Sequence, residues 1–451
     1  MDIQPQSGHL RFEGAGKASS PSAGIGLSLI QIAALLAANA FEFFDFFMYT
    51  TLASFIGRAY FPPGTAVNSA FLPLVIFAVG YLSRPVGGAI IGRYADTRGR
   101  KPAMLLTGSL ITLGTVGIAI TPTYEVIGVL ASFLILVFRM LQGVAIGGEM
   151  GSSSALLIER SPTGRGGLFG SYQMAGQGIA LLTAGLCGLS LSIALSPLAL
   201  ADWGWRLPFA LGAVLVPVQL FLRRSIVESA ARVESVKQAT AGKVRACDCG
   251  VPLILSILLI LGGTVPTYIV IYVTSFGLGG PVPSATASFV TTGVTGAVTL
   301  AASIVGGALA DVVGMNAVLI ASRVLTALVV YPAFAVAVSH HSETVSMLMI
   351  ALIAGLSALG GGPTITLILQ KFRAHHRATG LSLAYATGVA LFGGTAPLVA
   401  ASLTRWSGNP LGSAWYVMLA AGCAVVAQLV LTRWPSYPLR RSHEAVGALR
   451  G

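Results

Sequence analysis

An apolar run from 27 to 51 carries three polar side chains in its interior, Asn39, Glu42 and Asp45. A bilayer-spanning helix needs roughly 20 such residues, and this run supplies them. A carboxylate at membrane depth costs roughly 2.5–3.5 kcal/mol on insertion scales, so two of them three positions apart imply a use. Spacing of three places Asn39, Glu42 and Asp45 along one helical face. That face is expected to look into a water-filled path, where intramembrane carboxylates serve as proton carriers.

The pattern of long apolar runs repeats along the chain. Polar breaks delimit about twelve spans, near 28–56, 69–91, 102–121, 126–157, 167–195, 205–222, 251–276, 285–310, 316–338, 345–369, 378–403 and 411–432. Hydrophobic residues make up 55% of the 451 positions and charged residues only 9%. A soluble globular chain carries about 25% charged residues, so this composition describes a multi-pass membrane protein, all α-helical. The net charge of +12 is therefore read as a topology signal and not as a nucleic-acid surface. With the N-terminus inside, 21 Lys and Arg fall on the cytoplasmic side and only Arg58, Arg206 and Arg405 fall outside. The positive-inside rule then predicts two cytoplasmic termini in a cell inner membrane. Arg84, Arg139 and Arg323 lie within spans.

Residues 1–27 are polar and rich in Gly and Ser, and read as a cytoplasmic tail with no cleavable signal. The longest cytoplasmic connection, 223–250, carries six basic residues and divides the spans into two sets of six, 28–222 and 251–433; residues 434–451 form a second tail. Gly92, Asp96 and Gly99 after the second span recur as Gly307, Asp311 and Gly314 after the eighth, 215 residues later. Parallel repeats of this kind mark a transporter built from two similar halves. A weaker echo links the loops around Arg165 and Arg377. Cys187 and Cys423 sit in spans, and Cys247 and Cys249 flank Asp248 in the linker, too few ligands for a metal site.

The segment Gly92-Arg93-Tyr94-Ala95-Asp96-Thr97-Arg98-Gly99-Arg100-Lys101 resembles the signature loop of the major facilitator superfamily, at the position between spans two and three where that family carries it. Arg84-Pro85-Val86-Gly87-Gly88, Arg139-Met140-Leu141-Gln142-Gly143 and Asp202-Trp203-Gly204-Trp205-Arg206 resemble its metabolite:proton symporters. Asn39-Ala40-Phe41-Glu42-Phe43-Phe44-Asp45 and Leu391-Phe392-Gly393-Gly394-Thr395-Ala396-Pro397 are similar to the citrate–proton symporter branch. This resemblance implies twelve transmembrane helices in two six-helix bundles that rock about a central site. It also implies uptake of a di- or tricarboxylate with cations, and a latch between the halves at Gly92, Asp96, Arg98, Gly99 and Arg100, with Asp311 in the second copy. Thr97 stands where the signature usually has a base, and Asp311-Val312-Val313-Gly314-Met315-Asn316 lacks the bases altogether.

An anionic substrate stripped of water requires a cation, and Arg grips a carboxylate through parallel donors. Arg84 and Arg139, each near the middle of its span, are the candidates; the alternative for both is a buried pair with Glu42, Asp45 or Glu149. Glu149 follows Arg139 by ten residues, about 15 Å along a helix, so the two do not pair; Glu149 is a proton relay or part of an inner gate with Arg98 or Arg100. Gln142, Gln173 and Gln177 offer neutral donors and acceptors, either to substrate or between helices. Charge is nearly absent from the second-half spans, which leaves neutral contacts there: Thr264, Tyr268, Tyr272, Thr364 and Tyr385. Arg323 stands apart from this pattern and from the resemblance. His340, His341, His375 and His376 fall in loops, and Gly360-Gly361-Gly362-Pro363 suits close packing or a helix break.

A membrane-embedded enzyme would need a metal cluster or a nucleophile with its base at one depth, and none is visible in the sequence. No cofactor is implied. The expected partners are a small carboxylate, protons and the bilayer; a carboxylate pair could also hold sodium. Citrate or a related tricarboxylate is the expected substrate, with dicarboxylates, shikimate-like acids and zwitterions such as proline or betaine as alternatives.

Overall fold

The computed structural model describes residues 28–62, 75–76, 78–212, 250–277, 284–340, 342–373 and 376–437. Residues 1–27, the C-terminal tail beyond Tyr437, the interhalf linker apart from Gly250, most of the expected sixth span, the first part of the second, Cys247, Cys249, His341 and His375 lie outside the described residues.

The first half contains α1 (Leu29–Thr51), α2 (Arg84–Arg98), α3 (Arg100–Ile120), α4 (Val129–Glu159) and α5 (Gly166–Ala194). The second contains α6 (Gly250–Phe276), α7 (Ala285–Val313), α8 (Met315–His340), α9 (Glu343–Leu359), α10 (Gly361–Gln370), α11 (Arg377–Gly388), α12 (Ala396–Ser407) and α13 (Gly412–Thr432). Among the described residues ten helical stretches are long and apolar enough to cross a bilayer, counting α9 with α10 and α11 with α12 as one each. In hydrocarbon every backbone amide must be paired within its own segment, which is why apolar runs of this length fold as helices.

Local signals fix the ends. Ser28 caps α1 reciprocally with Gln31, an arrangement that satisfies two otherwise orphaned donors. The segment expected as a loop between spans two and three is instead helical up to Arg98, and α3 begins at Arg100. The whole turn is Gly99, whose φ of 107° is open to glycine at little cost. Gly314 repeats this between α7 and α8 with φ 105°. These helices outlast their apolar runs because the polar residues at their ends are held by the opposite half.

Glycines let the halves approach. Along α5, a Cβ on Gly178 would stand 2.5 Å from the backbone nitrogen of Leu300 on α7, and Gly185 faces the backbone of Gly293. On the other side of the molecule α2 meets α11: a Cβ on Gly88 would lie 2.9 Å from the Ser382 carbonyl oxygen. Small residues at helix interfaces replace the hydrophobic drive that lipid removes with dispersion contact between backbones. The run at Gly360 to Gly362 breaks the tenth span into α9 and α10 and packs Gly362 directly against Ser171 of α5. A π-helical turn, Val389–Gly393, likewise interrupts the eleventh span, where Gly393 lies against Tyr268.

Candidate functional site

The halves enclose a central cavity. Its walls come from Phe47 on α1, Gln177 and Leu181 on α5, Thr264 and Tyr268 on α6, Arg323 on α8, Thr364 on α10 and Tyr385 on α11. Five of the residues expected at the substrate, Gln177, Thr264, Tyr268, Thr364 and Tyr385, are thus brought together. Gln177 Nε2 donates to the Tyr385 hydroxyl at 3.5 Å across the two halves. Tyr272 lies outside this lining and is only half-buried.

Arg84 and Arg139 are fully buried but stand behind the cavity wall, in a box of aromatic rings. The Arg84 guanidinium lies 3.9 Å from the Tyr81 ring centre and 4.5 Å from that of Phe46. Arg139 lies 4.0 Å from Tyr49 and 4.7 Å from Phe46. Ring quadrupoles offset part of the desolvation of each cation. Tyr81 in turn packs edge-on to Tyr268 at 5.2 Å, joining this box to the cavity wall of the second half.

Asp45 belongs to the same layer. Arg139 Nη1 donates to Gln142 Oε1 at 2.8 Å, and Gln142 Nε2 donates to Asp45 Oδ2 at 3.2 Å. The Thr115 hydroxyl also donates to Asp45. Gln142 is therefore a relay between a buried cation and a buried carboxylate. Asn39, expected on the same face, points instead at Gly176 of α5, where a Cβ would meet its side chain. Glu42 is buried on α1 and, like Asn39 and Asp45, does not line the cavity. Glu149 accepts from the Thr107 hydroxyl, and Gln173 donates to the Met150 sulfur at 2.9 Å.

The two halves are tied to each other at the end where α2 meets α3. Asp96 accepts from the Ala378 and Thr379 backbone nitrogens at 3.3 and 2.8 Å and from the Thr379 hydroxyl at 2.5 Å. Arg100 Nη1 lies 2.6 Å from Asp96 Oδ1. Asp311 accepts from Gly167 and Leu168 nitrogens at 2.6 and 2.9 Å. Arg98 is exposed, whereas Gly92 packs against Thr379 and Ser382. Glu159, which sequence reasoning missed, sits 3.7 Å from Arg377 Nη1 and 3.9 Å from Arg100 Nη2, so its carboxylate bridges cations of both halves. The 215-residue repeat pointed to the two aspartates but carries no trace of this pairing.

The second half is not neutral as expected: Arg323 lines the cavity. Among the described residues no cluster of His, Cys, Asp or Glu could hold a metal ion.

Two helical halves that meet across a central cavity, with interlocking helix ends closing one face, define a membrane transporter and not an enzyme. A profile of the Major Facilitator Superfamily matches residues 35–397, and the chain belongs to that superfamily. The citrate-proton symporter of Salmonella typhi is 30% identical over 383 residues, 84% of this chain and 88% of its own. The alpha-ketoglutarate permease of Escherichia coli K12 is 33% identical over 84% of this chain and 88% of its own. The expected kinship with the citrate–proton symporter branch is thereby borne out. The solved proton:xylose symporter XylE bound to 6-bromo-6-deoxy-D-glucose has the same fold, with a TM-score of 0.76, 16% identity and coverage of 93% of this chain and 98% of that one.

Proposed function

We propose that this protein takes up a small carboxylate, citrate or a related tricarboxylate, together with protons by alternating access in a cell inner membrane. The observation that carries the proton half of this reading is the relay Arg139–Gln142–Asp45, a carboxylate and a cation joined by one amide at membrane depth. Protonation of Asp45 would free Arg139 from its indirect partner, which gives a local electrostatic event that can bias two packed arrangements of the halves. The relative from Salmonella typhi, named as a citrate-proton symporter, supports the substrate. The permease from Escherichia coli K12, named for alpha-ketoglutarate, favours a dicarboxylate as the second reading.

In this reading the residues 28–222 and 251–433 are the rocking halves, 223–250 is the cytoplasmic linker, and both termini are cytoplasmic by the positive-inside rule. The closed face is then the cytoplasmic one. Asp96 and Asp311 act as its latches, with Arg100 and the Glu159–Arg377 bridge as support.

The test is uptake of labelled citrate into proteoliposomes under an imposed inward proton gradient, repeated with a sodium gradient and with unlabelled competitor acids. Gradient-dependent accumulation is expected with protons, and competition ranks tricarboxylates against smaller acids. Accumulation driven by sodium alone would overturn the proton reading; no accumulation of any acid would overturn the substrate.

A further inference from the structure

Arg323 has no counterpart among the aromatic cages of the first half. It is 1% exposed, near the start of the ninth span, on a wall of the central cavity. Its Nη2 donates to the Thr364 hydroxyl at 3.2 Å, and that hydroxyl in turn donates a hydrogen bond to the Gly360 carbonyl at 2.6 Å. Nε and Nη1 have no hydrogen-bond partner. Among the described residues no carboxylate pairs with it and no aromatic ring lies over it. A buried charge in this condition is costly unless a counter-charge arrives.

The surroundings hold the guanidinium in place without neutralising it. A Cβ on Gly262 would stand 3.0 Å from its Nε, and one on Gly263 would stand 3.0 Å from Nη2. Two consecutive glycines on α6 thus leave the room that the head group fills. The rest of the lining contributes neutral polar groups, among them Gln177, Thr264, Tyr268 and Tyr385. One uncompensated cation among neutral polar groups and apolar surface matches a small organic acid that has a carboxylate at one end.

We propose that Arg323 is the substrate's carboxylate anchor in the second half, binding one carboxylate of the transported acid through Nε and Nη1 while Thr364 holds the head group. This deepens the proposed carboxylate symport and rests on it. The anchor and the proton site then lie in different halves, with substrate charge on α8 and the titrating group on α1. An empty carrier keeps its unpaired cation in the cavity, and substrate entry removes that cost.

The experiment uses the full-length protein and its variants Arg323→Gln and Arg323→Lys, purified in detergent and reconstituted. Thermal unfolding is followed with citrate, 2-oxoglutarate and betaine as probes, alongside proton-driven uptake. Loss of an uncompensated charge should leave the ligand-free melting temperature of Arg323→Gln at or above that of the parent. The acid-induced stabilisation should vanish, and KM should rise roughly 10- to 100-fold, as expected for a charged hydrogen bond lost from a buried site. Arg323→Lys keeps the charge without the fork and should fall between the two.

Unchanged acid stabilisation and KM in Arg323→Gln would overturn the anchor and leave carboxylate symport standing. A lowered ligand-free melting temperature with the acid response intact would make Arg323 a structural cation, and would also overturn it. Arg323-dependent stabilisation by acids in a protein that accumulates none under a proton gradient would support the anchor and overturn the symport reading instead.

Discussion

Asp96 and Asp311 do the same thing from opposite halves: each accepts the backbone N–H groups at the second and third positions of a helix in the other half, α11 for Asp96 and α5 for Asp311. The first N–H groups of a helix have no partner within it and carry the positive end of its dipole. A carboxylate supplied from across the molecule therefore closes the interface and finishes the helix at once. The first copy adds Arg100, and the second has no base at that position. Two such caps, each at the end of a helix stopped by a glycine of φ near +105°, form a symmetric pair of clasps.

Neutralising either clasp should release this face. Asp96→Asn or Asp311→Asn removes the charge that faces a helix N-terminus, worth about 1–2 kcal/mol in a buried setting, which shifts the closed-to-open ratio roughly 5- to 30-fold. With the four native cysteines replaced, a cysteine at Ser382, buried between α4 and α11 in this closed arrangement, should react faster with a membrane-permeant maleimide in either variant. Unaltered labelling rates would show that the clasps do not set the equilibrium.

The relay at Asp45 predicts a separation of two activities. Asp45→Asn keeps a hydrogen-bonding shape beside Thr115 and Gln142 but cannot carry a proton. Accumulation against a gradient should be lost, while exchange of internal for external substrate continues. Arg139→Ala, which removes the other end of the relay and empties space beside Phe46 and Tyr49, should abolish both while insertion into the membrane persists. Counterflow and gradient-driven uptake, measured on the same vesicles, distinguish the two cases.

At Gly178 the prediction is steric. A methyl group there would stand 2.5 Å from the Leu300 backbone nitrogen, and a backbone neighbour cannot rotate away. Gly178→Ala should force α5 and α7 apart, cost about 1–3 kcal/mol and slow transport, because overpacked interfaces move as units. Gly422→Ala, with nothing within 4 Å of its Cβ position, is the matched control. Equal uptake by the two variants would mean that the α5–α7 contact is slack.

Much of this arrangement was legible in the sequence because it repeats or is periodic. Apolar runs gave the helices, and the 215-residue echo gave Asp96 and Asp311. The facing of side chains was not legible. Arg84 and Arg139 read as cations awaiting a substrate, yet both are faced by Phe46, and Arg139 also by Tyr49, which only the packing of α1 against α4 and the second span brings near; Tyr81, three positions before Arg84, is the one ring that helical spacing places there. Arg323 was visible as a charge, but α8 is apolar on nearly every side, so no polar stripe says which face meets the cavity. Glu159 and Arg377 are 218 positions apart in the chain, and a pair made only by closure leaves no spacing to read.

The last prediction concerns pH and a group outside the spans. Lys371 follows α10, and its Nζ donates to the Trp434 carbonyl and the Ser436 hydroxyl, both at 2.8 Å. Arg377 reaches the Tyr437 carbonyl at 3.2 Å, and the Tyr437 nitrogen donates to the Gln370 carbonyl at 2.7 Å, so the chain after α13 is strapped beneath the second half. Burial pushes the Lys371 ammonium below the usual lysine range. The folded state then gives up this proton at a lower pH than the unfolded chain does. In the window between the depressed value and the ordinary 10.5, the unfolded state binds more protons and stability gained at this site rises with pH. Neutral amine retains two donors, enough for both strap contacts. Relative to Lys371→Met, the parent protein should gain thermal stability as pH rises toward that limit, and the gap should be constant at lower pH, where both states are protonated. A gap that narrows with rising pH would mean the ammonium charge itself holds the strap.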